Sequence, residues 1–276
     1  MTKPNKTEIV FLVDRSGSMK SIAEAMTSGI DEFINKQKLV PGECLVSLID
    51  FDDSYDVRYT ALSVHNVPKY TLEPRGMTAL YDAIGKSLAA TGERLRLTPE
   101  SERPSQVLFV IVSDGGENSS KEFKGEPGRQ QIFDRITHQR SKYQWEFVYL
   151  GANQDAYKVG TSLGISGTNS VSYSANEVKT RGMMSSLSAN VASYRSEGHS
   201  AKEHLFDQAT YNAATGDNLG GAQAGDTKLG VGTLQFDPNL LKDAKLSIDA
   251  QPAVFPPGTV VTVTQTVATP PDSSKS

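Results

Sequence analysis

Val107-Leu108-Phe109-Val110-Ile111-Val112 is an unbroken apolar run between polar flanks. A strand with no polar alternation has both faces covered, the pattern of a central strand in a parallel sheet. Trp145–Leu150 repeats it, and Glu8–Val13 and Leu45–Phe51 read as further buried strands. Ser54–Thr60 reads as a hairpin partner and Asn169–Tyr173 as an edge strand. Helical periods fill the gaps. Ile22, Met26, Ile30, Phe33 and Ile34 keep one face in Ser21–Lys38, and Leu80, Ile84, Leu88 and Leu95 do so in Ala79–Leu97. Ile132 and Ile136 mark Arg129–Tyr143, and two more helices are expected at Gln154–Leu163 and Asn176–Tyr194. Alternating strands and helices imply right-handed crossovers. The expected fold is therefore α/β, a doubly wound, mostly parallel sheet flanked by helices. Ligands in such sheets bind outside the carboxyl ends of the strands, where the strand order reverses.

Composition narrows the function. A net charge of -4, a sequence pI near 5.6 and the lack of any Lys/Arg-rich run with interleaved aromatics argue against nucleic acid as a partner. Cys44 is the single cysteine, so neither a disulfide framework nor a cysteine zinc site is expected. Its place at a strand start suits core packing. No apolar stretch reaches membrane-span length, and Ile9–Val13 is too short for a signal-peptide core. The expectation is a soluble, cytoplasmic protein with no membrane partner. The composition then breaks: no Arg follows Arg195 and no Glu follows Glu203, and the remainder is rich in Gly, Ala, Asp and Thr. We read residues 1–205 as the α/β domain and 206–276 as an appended arm, with Val260–Val267 a strand within it.

The chemistry concentrates in three segments, two at strand ends and one opening a helix. Asp14-Arg15-Ser16-Gly17-Ser18 directly follows Ile9–Val13 and sets one carboxylate and two hydroxyls at alternate positions. Pro74-Arg75-Gly76-Met77-Thr78-Ala79-Leu80 is a glycine-containing loop opening a helix, with Thr78 near the N-cap. Ser113-Asp114-Gly115 follows the central run. If the first and fourth strands are neighbours, Asp14 and Asp114 face one crevice and Thr78 enters from the adjacent loop. Oxygen-only donors of low charge suit Mg²⁺, which takes near-octahedral oxygen ligation and keeps several waters. So few protein charges leave such an ion electrophilic, with room for a carboxylate from a partner.

Together, Asp14-x-Ser16-x-Ser18, Thr78 in Gly-Met-Thr-Ala-Leu, and Ser113-Asp114-Gly115 resemble the von Willebrand factor A domain and its metal-ion-dependent adhesion site. The match runs over residues 7–195 in order and spacing. Phe51-Asp52-Asp53 and the segment from Trp145 to Asp155 are similar to short stand-alone members found in bacteria and their phages. The resemblance implies a non-enzymatic binding module that holds Mg²⁺ or Mn²⁺ on Asp14, Ser16, Ser18, Thr78 and Asp114. A protein partner's Asp or Glu would complete the shell. The alternative is a structural component of a larger assembly such as a phage virion, with residues 206–276 docking on neighbouring subunits.

Other readings carry less. A phosphoryl-accepting Asp14 with Mg²⁺ on Asp114 lacks a second carboxylate beside the nucleophile, because Ser16 stands there, and lacks a strand-end lysine. Gly85-Lys86-Ser87 is no phosphate loop, since Leu80 occupies the required glycine position. His65, His138, His199 and His204 show no metal-ligand spacing. Asp52 and Asp53 read as solvated turn residues, and Asp82 as a brace or helix-dipole partner rather than a ligand.

Overall fold

Side chains of successive strand residues point to opposite faces. In the first strand, β1 (Lys3–Asp14), Ile9, Phe11 and Val13 therefore enter one core while Val10 and Leu12 enter the other. The remaining strands are β2 (Glu43–Phe51), β3 (Tyr55–Ser63), β4 (Pro104–Ser113), β5 (Glu146–Ala152) and β6 (Ser170–Tyr173). The helices are α1 (Ala23–Gln37), α2 (Leu80–Leu97), α3 (Gly125–Tyr143), α4 (Ala156–Ser162) and α5 (Glu177–Glu197). This computed structural model describes residues 2–197 together with 211, 212, 216 and 217. The expected strand Val260–Val267 and most of the arm 206–276 lie outside the described residues.

The sheet runs β3-β2-β1-β4-β5-β6. All neighbours are parallel except the β2–β3 hairpin at the edge. The chain moves outward from β1 to β2 and β3, then returns to lay β4 on the other side of β1. Strand order thus reverses between β1 and β4, and their carboxyl ends flank the crevice. The α/β, doubly wound architecture is as expected from the sequence.

The two faces differ in what covers them. Leu108, Val110 and Val112 of β4 pack with Met26, Ile30 and Phe33 of α1 and Met183, Leu187 and Val191 of α5. Val107, Phe109 and Ile111 pack with Leu80, Ile84 and Leu88 of α2 and Ile132 and Ile136 of α3. Phe109 stacks between Trp145 and Phe147, with ring centroids 5.5 and 5.2 Å away. α1 and α5 approach closely at Gly29, where a Cβ would stand 2.7 Å from Met184 Cγ. Their C-terminal ends are tied by Arg195, which donates to the Gln37 backbone oxygen at 2.7 Å and to its Oε1 at 3.0 Å.

The elements depart from their expected bounds for local reasons. β1 begins at Lys3 rather than Glu8, because backbone pairing with β2 and β4 continues through polar residues. Lys3 and Lys6 each reach Glu43 at 2.9 Å. α3 starts at Gly125, four residues before the expected Arg129, in a first turn with too little apolar content to reveal a period. α4 starts only after Asp155, whose side chain caps it by accepting from Lys158 N at 3.0 Å.

Two residues beyond position 205 pack on this body. Tyr211 is 1% exposed and belongs to the core cluster of Tyr173 and Met183. Its hydroxyl donates to Asp217 Oδ2 at 3.0 Å, and Asp217 in turn accepts from Ser174 N at 2.7 Å and Ser174 Oγ at 2.8 Å. Tyr211→Ala removes a buried aromatic ring, so we expect a loss of about 3 kcal/mol in urea unfolding, in the range of large-to-small core changes. An exposed tyrosine such as Tyr157 should give a change near zero in the same measurement.

Candidate metal centre

The side-by-side ends of β1 and β4 set the geometry. Val13 pairs with Val112, so Asp14 emerges beside Ser113. Ser113 Oγ donates to Asp14 Oδ2 at 2.7 Å, and Ser16 N donates to Asp14 Oδ1 at 2.7 Å. One carboxylate oxygen is thus fixed from its own loop and the other from β4. Ser16 Oγ and Ser18 Oγ lie 3.0 Å apart, and Ser18 Oγ donates to Asp114 Oδ1 at 2.6 Å. That last bond joins the β1 loop to the β4 loop directly. Thr78 completes the group: a Cβ on Gly115 would stand 3.3 Å from Thr78 Oγ1 and 3.7 Å from Ser18 Oγ. All five sequence-predicted residues therefore gather at one strand-end crevice, with Asp14, Ser16 and Thr78 buried, Asp114 half-buried and Ser18 exposed.

Thr78 does not cap α2. The N-cap is Ala79, without a side-chain cap bond. The exposed helix N–H groups are satisfied from the β4–α3 loop instead: Glu117 Oε2 accepts from Tyr81 N at 3.0 Å and Ser120 Oγ accepts from Asp82 N at 3.0 Å. Asn118 Oδ1 accepts from Thr78 N at 2.9 Å, while Thr78 O accepts from Asn118 N at 3.0 Å. This reciprocal pair holds the threonine backbone and leaves its hydroxyl beside Gly115. Asp82 anchors the same loop by accepting from the N–H groups of Lys121, Glu122 and Phe123. Burial opposes its ionisation, but those three donors hold its carboxyl below the usual range.

Asp52 is not a solvated turn residue, whereas Asp53 is exposed in the turn, as expected. Asp52 is 3% exposed and accepts from Arg15 Nε at 3.0 Å and Arg75 Nε at 2.9 Å. Burial would raise its pKa, but Ser54, Arg15 and Arg75 hold it well below the ordinary carboxylate value. Arg15 also reaches Asp56, so its charge is committed to this cluster. Asp53 Oδ1 accepts from Met77 N at 2.6 Å. Gly76, at φ +69°, sits where a Cβ would collide with that oxygen, so glycine is required both for the left-handed turn and for the close approach. Sequence reasoning passed over Asn118, Glu117 and Gln154, whose Nε2 donates to Ser113 O at 2.8 Å. They sit in polar loops and carry no spacing signal.

Among the described residues no group of three or more His, Cys, Asp or Glu gathers as a metal site. The set here is two carboxylates with three hydroxyls, hard oxygen donors that fit a divalent ion retaining water. Asp14, with both oxygens hydrogen-bonded to protein, would hold such an ion together with Asp114 and the hydroxyls of Ser16, Ser18 and Thr78.

No protein-family model and no curated protein matches the chain. Among solved structures, the pilus adhesin SpaC from Lactobacillus rhamnosus GG is 13% identical over 69% of this chain and 31% of its own, with a TM-score of 0.51. A von Willebrand factor type A structure from Catenulispora acidiphila is 13% identical over 69% of this chain and 43% of its own, at 0.47. Proximal thread matrix protein 1 from the mussel byssus, with a zinc-occupied metal-ion-dependent adhesion site motif, is 16% identical over 68% of this chain and 46% of its own, at 0.48. The chain spans less than half the length of each. At these identities the likeness is one of fold alone, a mostly parallel sheet flanked by helices.

Burial, with Asp114 nearby, pushes the Asp14 carboxyl up from 3.8 to about 6. A folded-state pKa above the unfolded one gives stability that is present below about pH 4 and lost as pH rises through about 6. Its full size is about 3 kcal/mol. In chelator without added metal, wild type should therefore lose stability between pH 4 and 6 relative to Asp14→Asn, read by urea unfolding at each pH. A constant difference between the two proteins would contradict this account.

Proposed function

We propose that this chain is a divalent-metal-dependent protein-binding module. It holds Mg²⁺ or Mn²⁺ on Asp14, Ser16, Ser18, Thr78 and Asp114 and captures an Asp or Glu of a protein partner at the ion. The observation that carries the reading is the 2.6 Å hydrogen bond from Ser18 Oγ to Asp114 Oδ1, which unites hydroxyl and carboxylate donors from two adjacent strand ends. Among the described residues only two carboxylates face the crevice, and Arg15 is neutralised elsewhere. A doubly charged ion there would keep part of its charge for an outside anion. This favours capture over hydrolysis, where the attacking group and the leaving group both need provision. SpaC is a pilus adhesin, and an adhesive role is in keeping with that likeness of fold.

Mn²⁺ binding to the full-length protein can be followed by titration calorimetry. Asp14→Ala should abolish it, and Ser113→Ala, which frees Asp14 Oδ2, should weaken it by about 10-fold or more, as loss of a ligand's supporting partner does. With Mn²⁺ bound, a short peptide bearing one aspartate should lower the water-proton relaxation enhancement, and its asparagine counterpart should not. Mn²⁺ affinity unchanged by Asp14→Ala would refute the metal assignment; equal effects of the two peptides would refute carboxylate capture.

A further inference from the structure

At the other end of the sheet, the last turns of α2 and α3 and the amino ends of β4 and β5 enclose a cavity of 690 Å³. That volume is typical of small-molecule sites. Its floor is apolar, formed by Leu95, Val107 and Trp145, all buried. Its mouth is cationic: Arg96, Arg103 and Lys142 line it, against the single carboxylate of Glu93. Glu93 is already engaged by Arg96, at 2.7 and 2.8 Å. Arg103 donates to the backbone oxygens of Thr98 and Arg96 at 2.8 and 3.0 Å, which offsets the negative end of α2. Glu100 lies within electrostatic reach of Arg103, whereas Lys142 Nζ lies 5.4 Å from the Tyr143 ring centroid.

One further feature shows a space that the fold does not itself require. Gly92 lines the cavity, inside α2, where a Cβ would meet nothing within 4 Å. Glycine is among the poorest helix formers, no neighbour demands it here, and any side chain would enter the open space.

We propose that this cavity binds a small aromatic organic anion. Its flat apolar body would rest on Leu95, Val107 and the edge of Trp145. Its acidic group would lie at Arg103 and Lys142. The site is separate from the candidate metal centre and does not depend on metal.

Trp145 is the only tryptophan in the chain, so its fluorescence reports on the floor of the cavity. The probe is anilinonaphthalene sulfonate, titrated into the full-length protein in chelator, with uncharged phenylnaphthylamine as the control. The proposal expects saturable one-to-one quenching of Trp145 with energy transfer to the sulfonate probe, and much weaker binding of the uncharged compound. Lys142→Ala, at an exposed position, should weaken the sulfonate by about tenfold, the worth of one charge-assisted contact. Gly92→Leu should abolish binding while leaving the melting temperature equal or higher. Absence of saturable quenching, equal binding of the two compounds, or undiminished binding by folded Gly92→Leu would each overturn the proposal.

Discussion

Parallel pairing of β1 with β4 is the constraint on which the rest of the structure depends. It joins strands far apart in sequence, and the register that sets Val13 against Val112 brings Asp14 level with Ser113. Shifting that register by one residue would turn every side chain of β1 to the opposite face, exchanging Ile9, Phe11 and Val13 with Val10 and Leu12 between two already filled cores. The packing therefore locks the register, and the register locks the crevice. No residue of the candidate centre has to pay separately for its position.

Around that crevice, carboxylates divide into those that face it and those that build its walls. Asp52, Asp53, Asp82 and Glu117 are all consumed by arginines or by backbone N–H groups. They bind the Thr78 loop to the β2 end and the β4–α3 loop to the start of α2. Asp52 and Asp82, buried and matched with several donors, rigidify what they join. The consequence is electrostatic as well as mechanical. Of the acidic side chains nearby, only Asp14 and Asp114 remain turned toward the hydroxyls, and burial raises both of their pKa values.

Where local signals were strong, the sequence could be read closely. The apolar runs ending at Val13, Phe51, Val112 and Leu150 stop within two residues of the observed strand ends, because a fully buried parallel strand must be apolar until it leaves the sheet. Signals failed where long-range partners do the work. Thr78 looked like a helix cap, but the cap function comes from Glu117 and Ser120, some forty residues away. Asp52 looked solvated because nothing local shows that Arg15 and Arg75 converge on it. Tyr211 and Asp217 lie past the composition break, yet their side chains close on Ser174 and the α5 core.

By itself, the sequence determined the α/β alternation, the strand ends and the five oxygen-bearing residues, four of them at two strand ends and Thr78 before α2. These follow from hydrophobic periodicity and from the rule that loops at strand ends carry the chemistry, both of which are local. Only the tertiary structure decided how those residues meet: which hydroxyl touches which carboxylate, which acids become scaffolding, and that a second cavity opens beneath α2 and α3. Contacts between segments depend on register, crossover and helix packing, which are properties of the whole chain and leave no mark on any short stretch of it.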